Sequence, residues 1–249
     1  MSLRSFDDTL ALVAGVEGWM TDGQARRLFE AASQVASEGR IVEIGSFRGR
    51  STIVLASAAR DGVEVVAIDP HAGNDRGPQE LEGFAKEAES DFETFHRNLS
   101  AAGVEARVRH VRRPSDQAHD AIDGRIDLLY IDGAHRYRPA RSDVRRWGER
   151  VADGGTLLIH DSFSSIGVTL ALGRELFLSR RFRYVGRSRS LAEYRADLGS
   201  GRRTRLLNLW RQVYQLPWFV GNVALKALIA LRLSWMVRLV TGRRPEWPY

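Results

Sequence analysis

Two glycines in Glu43-Ile44-Gly45-Ser46-Phe47-Arg48-Gly49-Arg50-Ser51 stand where a short β-rich run gives way to a helical segment. Glycine at such a junction lets the chain turn sharply and brings backbone N–H groups close to a ligand. The spacing is G-x-x-x-G, so the G-x-G-x-x-G fingerprint of a pyrophosphate site is missing. Glu43, Gly45, Ser46, Gly49 and Ser51 are the candidate binding residues here, and the same loop also fits a purely structural turn. Asp69 closes the next apolar run roughly twenty residues later, where a carboxylate can accept both hydroxyls of a ribose or simply cap a turn. Ser115 and Asp116 follow the third run at the level of an adenine edge, although Pro114-Ser115-Asp116 also reads as a helix N-terminus. Together these residues have the chemistry of a nucleoside site.

The elements that must position them alternate. Apolar residues recur at helical spacing from Asp7 to Val35, with Thr21 and Asp22 as caps before a helix over Gln24 to Ala36. Strands are expected at Ile41 to Ile44, Val63 to Ile68, Arg107 to Val111, Ile126 to Ile131 and Thr156 to Ile159. Helices are expected at Ser51 to Ala59, Gln79 to Leu99, Arg138 to Val151 and Ile166 to Phe177, with Asp153-Gly154-Gly155 as a turn. Phe182 to Tyr194 reads as two strands joined by a tight turn. The pattern predicts an α/β, Rossmann-like, doubly wound and mostly parallel seven-stranded sheet ending in an antiparallel hairpin. Ligands of such sheets sit beyond the carboxyl ends of the strands, where the polar residues above all fall.

Composition narrows the chemistry. The chain of 249 residues is 43% hydrophobic and 27% charged, ordinary for a folded globular protein and against disorder. Cysteine is absent, which excludes disulfides, thiolate nucleophiles and cysteine-ligated zinc or iron-sulfur centres. The net charge of +6 is concentrated at one end: from Gly201 to Tyr249 nine basic residues face one acid, a net of +8, so the preceding residues sum to −2. No cationic stretch followed by an apolar run and a small-residue cleavage site opens the sequence, which sets a cytoplasmic expectation.

A second, ordered set of residues is more specific than the glycine loop: Tyr130-Ile131-Asp132-Gly133-Ala134-His135-Arg136-Tyr137, then Asp143 and Trp147, then Gly154-Gly155 and His160-Asp161. With the loop and Asp69, this set resembles the class I S-adenosylmethionine-dependent methyltransferases over roughly Glu17 to Ala196. The likeness is to the bacterial branch that includes macrocin O-methyltransferase-like and cephalosporin-hydroxylase-like enzymes. The resemblance implies S-adenosylmethionine as cofactor, with Asp132 among the residues at its site. It also implies a magnesium ion held by Asp132 and Asp161, and His135 as the base that takes the acceptor's proton. An alcohol oxygen is a poor nucleophile until it loses that proton, and coordination together with an imidazole serves this end. Strand capping by Asp132 and Asp161, and a turn role for His135, are the structural alternatives. His160 is either a third ligand or a packed strand residue. The sequence departs from the family where Arg138 replaces an acid and where His160 replaces a second acid beside Asp161, which bears on metal dependence. Asp75, Glu80 and Asp91 are further ligand candidates.

The catalytic unit is expected to span residues 1–198, followed by a basic amphipathic helical tail over residues 199–249 with Gly199-Ser200-Gly201 as linker. The apolar stretch Trp218 to Val240 has 23 residues, enough to cross a bilayer. Lys226 and Arg232 near its middle would each cost about 2.5 to 3.5 kcal/mol, which argues against a span. On a helical wheel Leu225, Leu228, Ile229, Leu231, Trp235, Met236 and Leu239 share one face, opposite Asn222, Lys226, Ser234 and Arg238. Such a helix suits an anionic membrane surface, which would put the protein at the inner face of the membrane, or packing on the catalytic unit or a sister subunit. The acceptor expected from the family likeness is the hydroxyl of a sugar, glycoside or glycolipid. Other readings are an RNA methyltransferase, disfavoured because the arginines interleave with leucine and tryptophan, a non-enzymatic cofactor-binding scaffold, and an iron oxygenase using His135 and His160.

Overall fold

The computed structural model describes residues 4–72, 85–199 and 201–231. Among them run seven strands, β1 (Arg40–Ile44), β2 (Glu64–Ile68), β3 (Val108–Val111), β4 (Ile126–Ile131), β5 (Val151–Ile159), β6 (Phe182–Ser188) and β7 (Leu191–Ala196). Eight α-helices accompany them: α1 (Phe6–Val13), α2 (Asp22–Ser33), α3 (Arg50–Ala58), α4 (Ala85–Ala101), α5 (Tyr137–Gly148), α6 (Ile166–Glu175), α7 (Arg202–Val213) and α8 (Leu216–Ala230). The strands form one sheet in the order β3-β2-β1-β4-β5-β7-β6. Strands β1 to β5 are parallel, and β7 is antiparallel to both of its neighbours, β5 and β6. The expected Rossmann-like sheet is therefore the observed one, with the second strand of the terminal hairpin inserted between β5 and the first.

Alternation along the strands divides the core between the two faces of the sheet. Val42, Ile44, Val66, Leu129, Ile131 and Leu157 pack on one face with Val144 and Trp147 of α5 and with α6. Ile41, Val65, Ala67, Leu128, Tyr130 and Leu158 pack on the other with α2, α3 and α4. A central strand covered on both faces reads as a continuous apolar run, and after the half-buried Arg40 β1 obeys this except at Glu43, which is wholly buried.

Local signals set the ends of the helices. The Thr21 hydroxyl and the Gln24 side chain make a reciprocal capping box at the start of α2. Gly49, at φ +86°, begins α3 in a left-handed conformation. Two expectations move. The turn expected at Asp153-Gly154-Gly155 lies within β5, because Val151 already pairs with Ile126 of β4, and the extra residues are absorbed as an irregularity with Gly154 at φ +73°. For the same reason the helix expected to run to Val151 stops at Gly148. The helix expected from Gln79 is described from Ala85, and residues 79–84 lie outside the described residues.

The tail begins with two helices that pack on the catalytic unit. Asn208 of α7 accepts from the Tyr184 backbone N–H at 2.6 Å and donates to the carbonyls of Leu176 and Phe177. Gln212 donates to Leu176 and Asn208 and accepts from the Tyr184-packed Tyr194 hydroxyl at 3.0 Å. Pro217 lies in the first turn of α8, where a helix has no need of its N–H. Trp218 and Phe219 rest against the core on the α5–α6 face of the sheet, with the Arg187 guanidinium of β6 3.9 Å from the Trp218 ring centroid. The remainder of the amphipathic stretch, including Arg232, Trp235, Met236, Arg238 and Leu239, lies outside the described residues.

Candidate active site

Strand β1 passes into the glycine loop at Gly45, whose φ of +84° is left-handed. A Cβ at Gly45 would run into the Asp132 carbonyl and lie 2.6 Å from its carbonyl carbon, so only glycine lets the ends of β1 and β4 approach. The loop is clamped from β2: the N–H groups of Ser46 and Phe47 both donate to Asp69 Oδ2, at 2.8 and 2.9 Å, and the His71 N–H donates to Asp69 Oδ1 at 2.8 Å. Asp69 thus holds the loop in shape as well as facing the cleft.

Glu43 lies beneath the loop. The hydroxyls of Ser51 and Thr52 each donate to one of its oxygens at 2.5 Å. Burial pushes its carboxyl up to about 8, against the opposing effect of the two hydroxyls. Gly49 is turned away from the cleft as well, with Leu99 and Phe95 where a Cβ would go. These two candidate residues support the site from behind, whereas Gly45, Ser46, Ser51, Asp69, Ser115, Asp116 and Asp132 line a cleft of about 1490 Å³. Small-molecule sites are typically about 300 to 1,000 Å³, so this cleft has room for a nucleoside cofactor and an acceptor together. The Ser115 hydroxyl donates to Asp143 at 2.6 Å, and its carbonyl accepts from the Trp147 indole at 3.2 Å. Asp143 is itself buried and pushed up to about 6 by that burial. Asp143 and Trp147 therefore hold the Ser115–Asp116 segment at the cleft.

At the far side the ends of β4 and β5 bring three donors together. Asp132, His135 and Asp161 offer ligand atoms that all lie within 4.8 Å of one another. His135 Nε2 is 2.7 Å from Asp161 Oδ2, and the Tyr130 hydroxyl donates to Asp132 Oδ2 at 2.8 Å. His160, the last buried residue of this strand end, sits between the two acids, its Nδ1 3.2 Å from Asp132 and 3.6 Å from Asp161. Asp161 takes a left-handed backbone at φ +53°. Burial alone would raise its carboxyl, but the two imidazoles hold it well below the usual range. Burial alone would lower the two histidines, but the carboxylates outweigh it: His160 is raised well above its ordinary value and His135 is raised.

Two carboxylates and an imidazole that converge in this way suit a divalent cation. Carboxylate oxygens favour magnesium, and the nitrogen admits manganese or iron as well. The third member of the set is His135, whereas His160 stands between the two carboxylates. Asp91 is engaged elsewhere, accepting from Arg48 Nε at 2.8 Å, and Asp75 and Glu80 lie outside the described residues. The role of His160 was the least legible from sequence, because a single histidine in a strand looks the same whether its neighbours in space are apolar or acidic.

The segment before α2 and helix α8 complete the walls. Glu17, Trp19 and Met20 lie on the glycine-loop side, where Trp19 packs on Phe47 with ring centroids 5.4 Å apart. Val223, Lys226, Ala227 and Ala230 of α8 line the cleft as well. Lys226 Nζ donates to Ser164, at 3.2 Å to the carbonyl and 3.0 Å to the hydroxyl.

Residues 42–162 match a family model described as a methyltransferase domain. An uncharacterized protein, y4gI of Sinorhizobium fredii, is 30% identical over 128 residues, which are 49% of this chain but only 13% of that relative. Among solved structures, the O-methyltransferase NovP is similar at 18% identity and a TM-score of 0.55, over 72% of this chain and 83% of NovP. The O-methyltransferase TomG from Streptomyces achromogenes, involved in tomaymycin synthesis and solved with S-adenosylmethionine, is similar at 17% identity and a TM-score of 0.52, over 80% of this chain and 93% of TomG. The sheet order and the cleft beyond its carboxyl ends agree with the domain matched over residues 42–162, and the fold is that of the class I S-adenosylmethionine-dependent methyltransferases.

Proposed function

We propose that this protein transfers the methyl group of S-adenosylmethionine to a hydroxyl oxygen of a sugar, glycoside or glycolipid-type acceptor. The observation that carries the reading is the meeting of Asp132, His135 and Asp161 on the wall of the cleft that also holds the Gly45 loop, Asp69 and Asp116. In an in-line displacement the acceptor oxygen forms a bond to the methyl carbon as the carbon–sulfur bond breaks, leaving S-adenosylhomocysteine. The acceptor's proton must leave, and His135 is the group to receive it. One ring nitrogen is held by Asp161, which orients the imidazole, and the other, Nδ1, has no hydrogen-bond partner. Asp132 and Asp161 are the residues that would hold a divalent cation, leaving His135 as the base, and the cation when bound would supply Lewis acidity that lowers the hydroxyl pKa. The oxygenase reading loses ground here, because the gathered set has one histidine and two carboxylates, the inverse of a facial triad.

We place the catalytic unit at residues 1–198 in the cytoplasm, with the basic tail of residues 199–249 at the inner face of the membrane. The test of the chemistry is His135→Ala. Calorimetry should give unchanged affinity for S-adenosylmethionine, because the Gly45 loop, Asp69 and Asp116 are left intact, while methyl transfer to a panel of glycosides falls by about 10²-fold or more, the usual range for a lost general base. Undiminished transfer would remove His135 from the reaction.

A further inference from the structure

We infer that α7 and α8 seat on the surface of an anionic lipid bilayer, and that the acceptor enters the cleft from that bilayer as an amphiphile with a hydroxylated headgroup. The acceptor part rests on the reading above. The membrane part rests on a reversal of the usual helix pattern. A helix on a soluble core buries its apolar stripe and exposes its polar one. Helix α7 does the opposite: its buried residues are Asn208 and Gln212, one turn apart and bonded to the catalytic unit, while Leu206, Leu207 and Trp210 point outward with Tyr214 at its end. Trp210 is 68% exposed and Tyr214 83%. In α8 the buried residue is Asn222, which donates to the Phe163 carbonyl at 3.0 Å, and Val220 and Leu231 are exposed. Of the thirteen exposed large apolar residues among those described, eight lie on α6, α7, α8 or their caps. Such a concentration marks a surface that meets an apolar phase.

Charge identifies that phase. Helix α7 carries Arg202, Arg203, Arg205 and Arg211 and no acid, and α8 carries Lys226 and no acid. Arginines beside tryptophan and leucine complement a negatively charged headgroup layer. A two-fold pairing of this surface with a second copy would set the same arginines against one another. The surface also continues into the site, since α8 lines the cleft through Val223, Lys226, Ala227 and Ala230, next to the exposed Ile166 of α6. Polar bonds from Asn208, Gln212 and Asn222 tie both helices along the protein, which suits a helix lying on a membrane.

Full-length protein should co-sediment with phosphatidylglycerol–phosphatidylcholine vesicles and do so at least tenfold less with phosphatidylcholine alone. The double substitution Leu207→Glu and Trp210→Glu, both on the outward face, should reduce sedimentation at least tenfold while calorimetry shows unchanged binding of S-adenosylmethionine. Wild-type protein that stays in the supernatant with anionic vesicles overturns the membrane inference without reference to any variant. So does a dimer in sedimentation velocity that the double substitution dissolves in the absence of vesicle binding. Neither measurement involves methyl transfer, so failure here is distinct from failure of the chemistry. With radiolabelled S-adenosylmethionine and a crude membrane lipid extract as acceptor, label should enter the chloroform phase. Label confined to water-soluble glycosides overturns the acceptor class alone.

Discussion

Gly167→Ala tests whether the cleft depends on close packing between α6 and the segment that carries His135. Gly167 lies in the first turn of α6, and a Cβ there would meet only backbone: the His135 carbonyl oxygen, Tyr137 N at 2.7 Å and Arg136 C at 2.9 Å. Ordinary contact begins at 3.4 Å, so Tyr137 N must retreat by about 0.7 Å and the His135 carbonyl by more. Backbone at the start of α5 cannot give as the end of a long side chain can. Overpacking of this kind costs about 1 to 3 kcal/mol. Displacing a reactive group by about 1 Å costs on the order of 10²-fold in rate, and the 2.7 Å contact between His135 and Asp161 is what moves. Gly173→Ala in the same helix is the internal control. Nothing lies within 4 Å of its Cβ, so relief of glycine's entropy should stabilise the protein by about 0.5 to 1 kcal/mol. Urea unfolding should place the two variants on opposite sides of the wild type, and a methyl-transfer assay should separate them by one to two orders of magnitude. A Gly167→Ala protein as stable and as active as Gly173→Ala would refute the packing argument.

Two further outcomes follow from buried polar groups. Glu43 has a folded-state carboxyl near 8 against 4.5 as its ordinary value, so between those values the folded chain binds more protons than the unfolded one and stability falls as pH rises, by about 1.4 kcal/mol per unit at most. Glu43→Gln should flatten this slope between pH 5 and 8, as read by urea midpoints across that range, and an unchanged slope would mean that another group sets it. Asn208→Ala removes the side-chain acceptor that meets the buried Tyr184 N–H at 2.6 Å, and should destabilise docking of α7 by about 1 to 3 kcal/mol. Hydrogen exchange should then show faster exchange at Tyr184 and along α7, with β1 and β4 unaffected.

The grouping of the candidate site was legible in part because its residues sit at strand ends. Apolar runs bounded by Gly45, Asp69, Asp132 and Asp161 mark where parallel strands stop, and in a doubly wound sheet those stops face a common cleft. Glu43 and Gly49 belong to the same motif, yet their side chains or missing side chains face α3 and α4, a distinction that depends on which way the loop rolls after Gly45. The partnership of Ser115 with Asp143, 28 residues apart, was likewise invisible in a motif that fits both a helix start and an adenine contact.

The sequence by itself determined the alternation of strands and helices, the loop that only glycine can make and the identity of the acids at the sheet's edge, because these depend on backbone sterics and on apolar periods within a few residues. Only the tertiary structure decided that β7 lies between β5 and β6, that His135 and Asp161 meet at 2.7 Å, and that α7 turns Asn208 and Gln212 inward and Leu206, Leu207 and Trp210 outward. Those outcomes depend on pairings between residues tens of positions apart. Asn208 shows the reason: its amide is worth burying because the Tyr184 N–H and two carbonyls at the end of α6 lie opposite it, and no local pattern in α7 records that they are there.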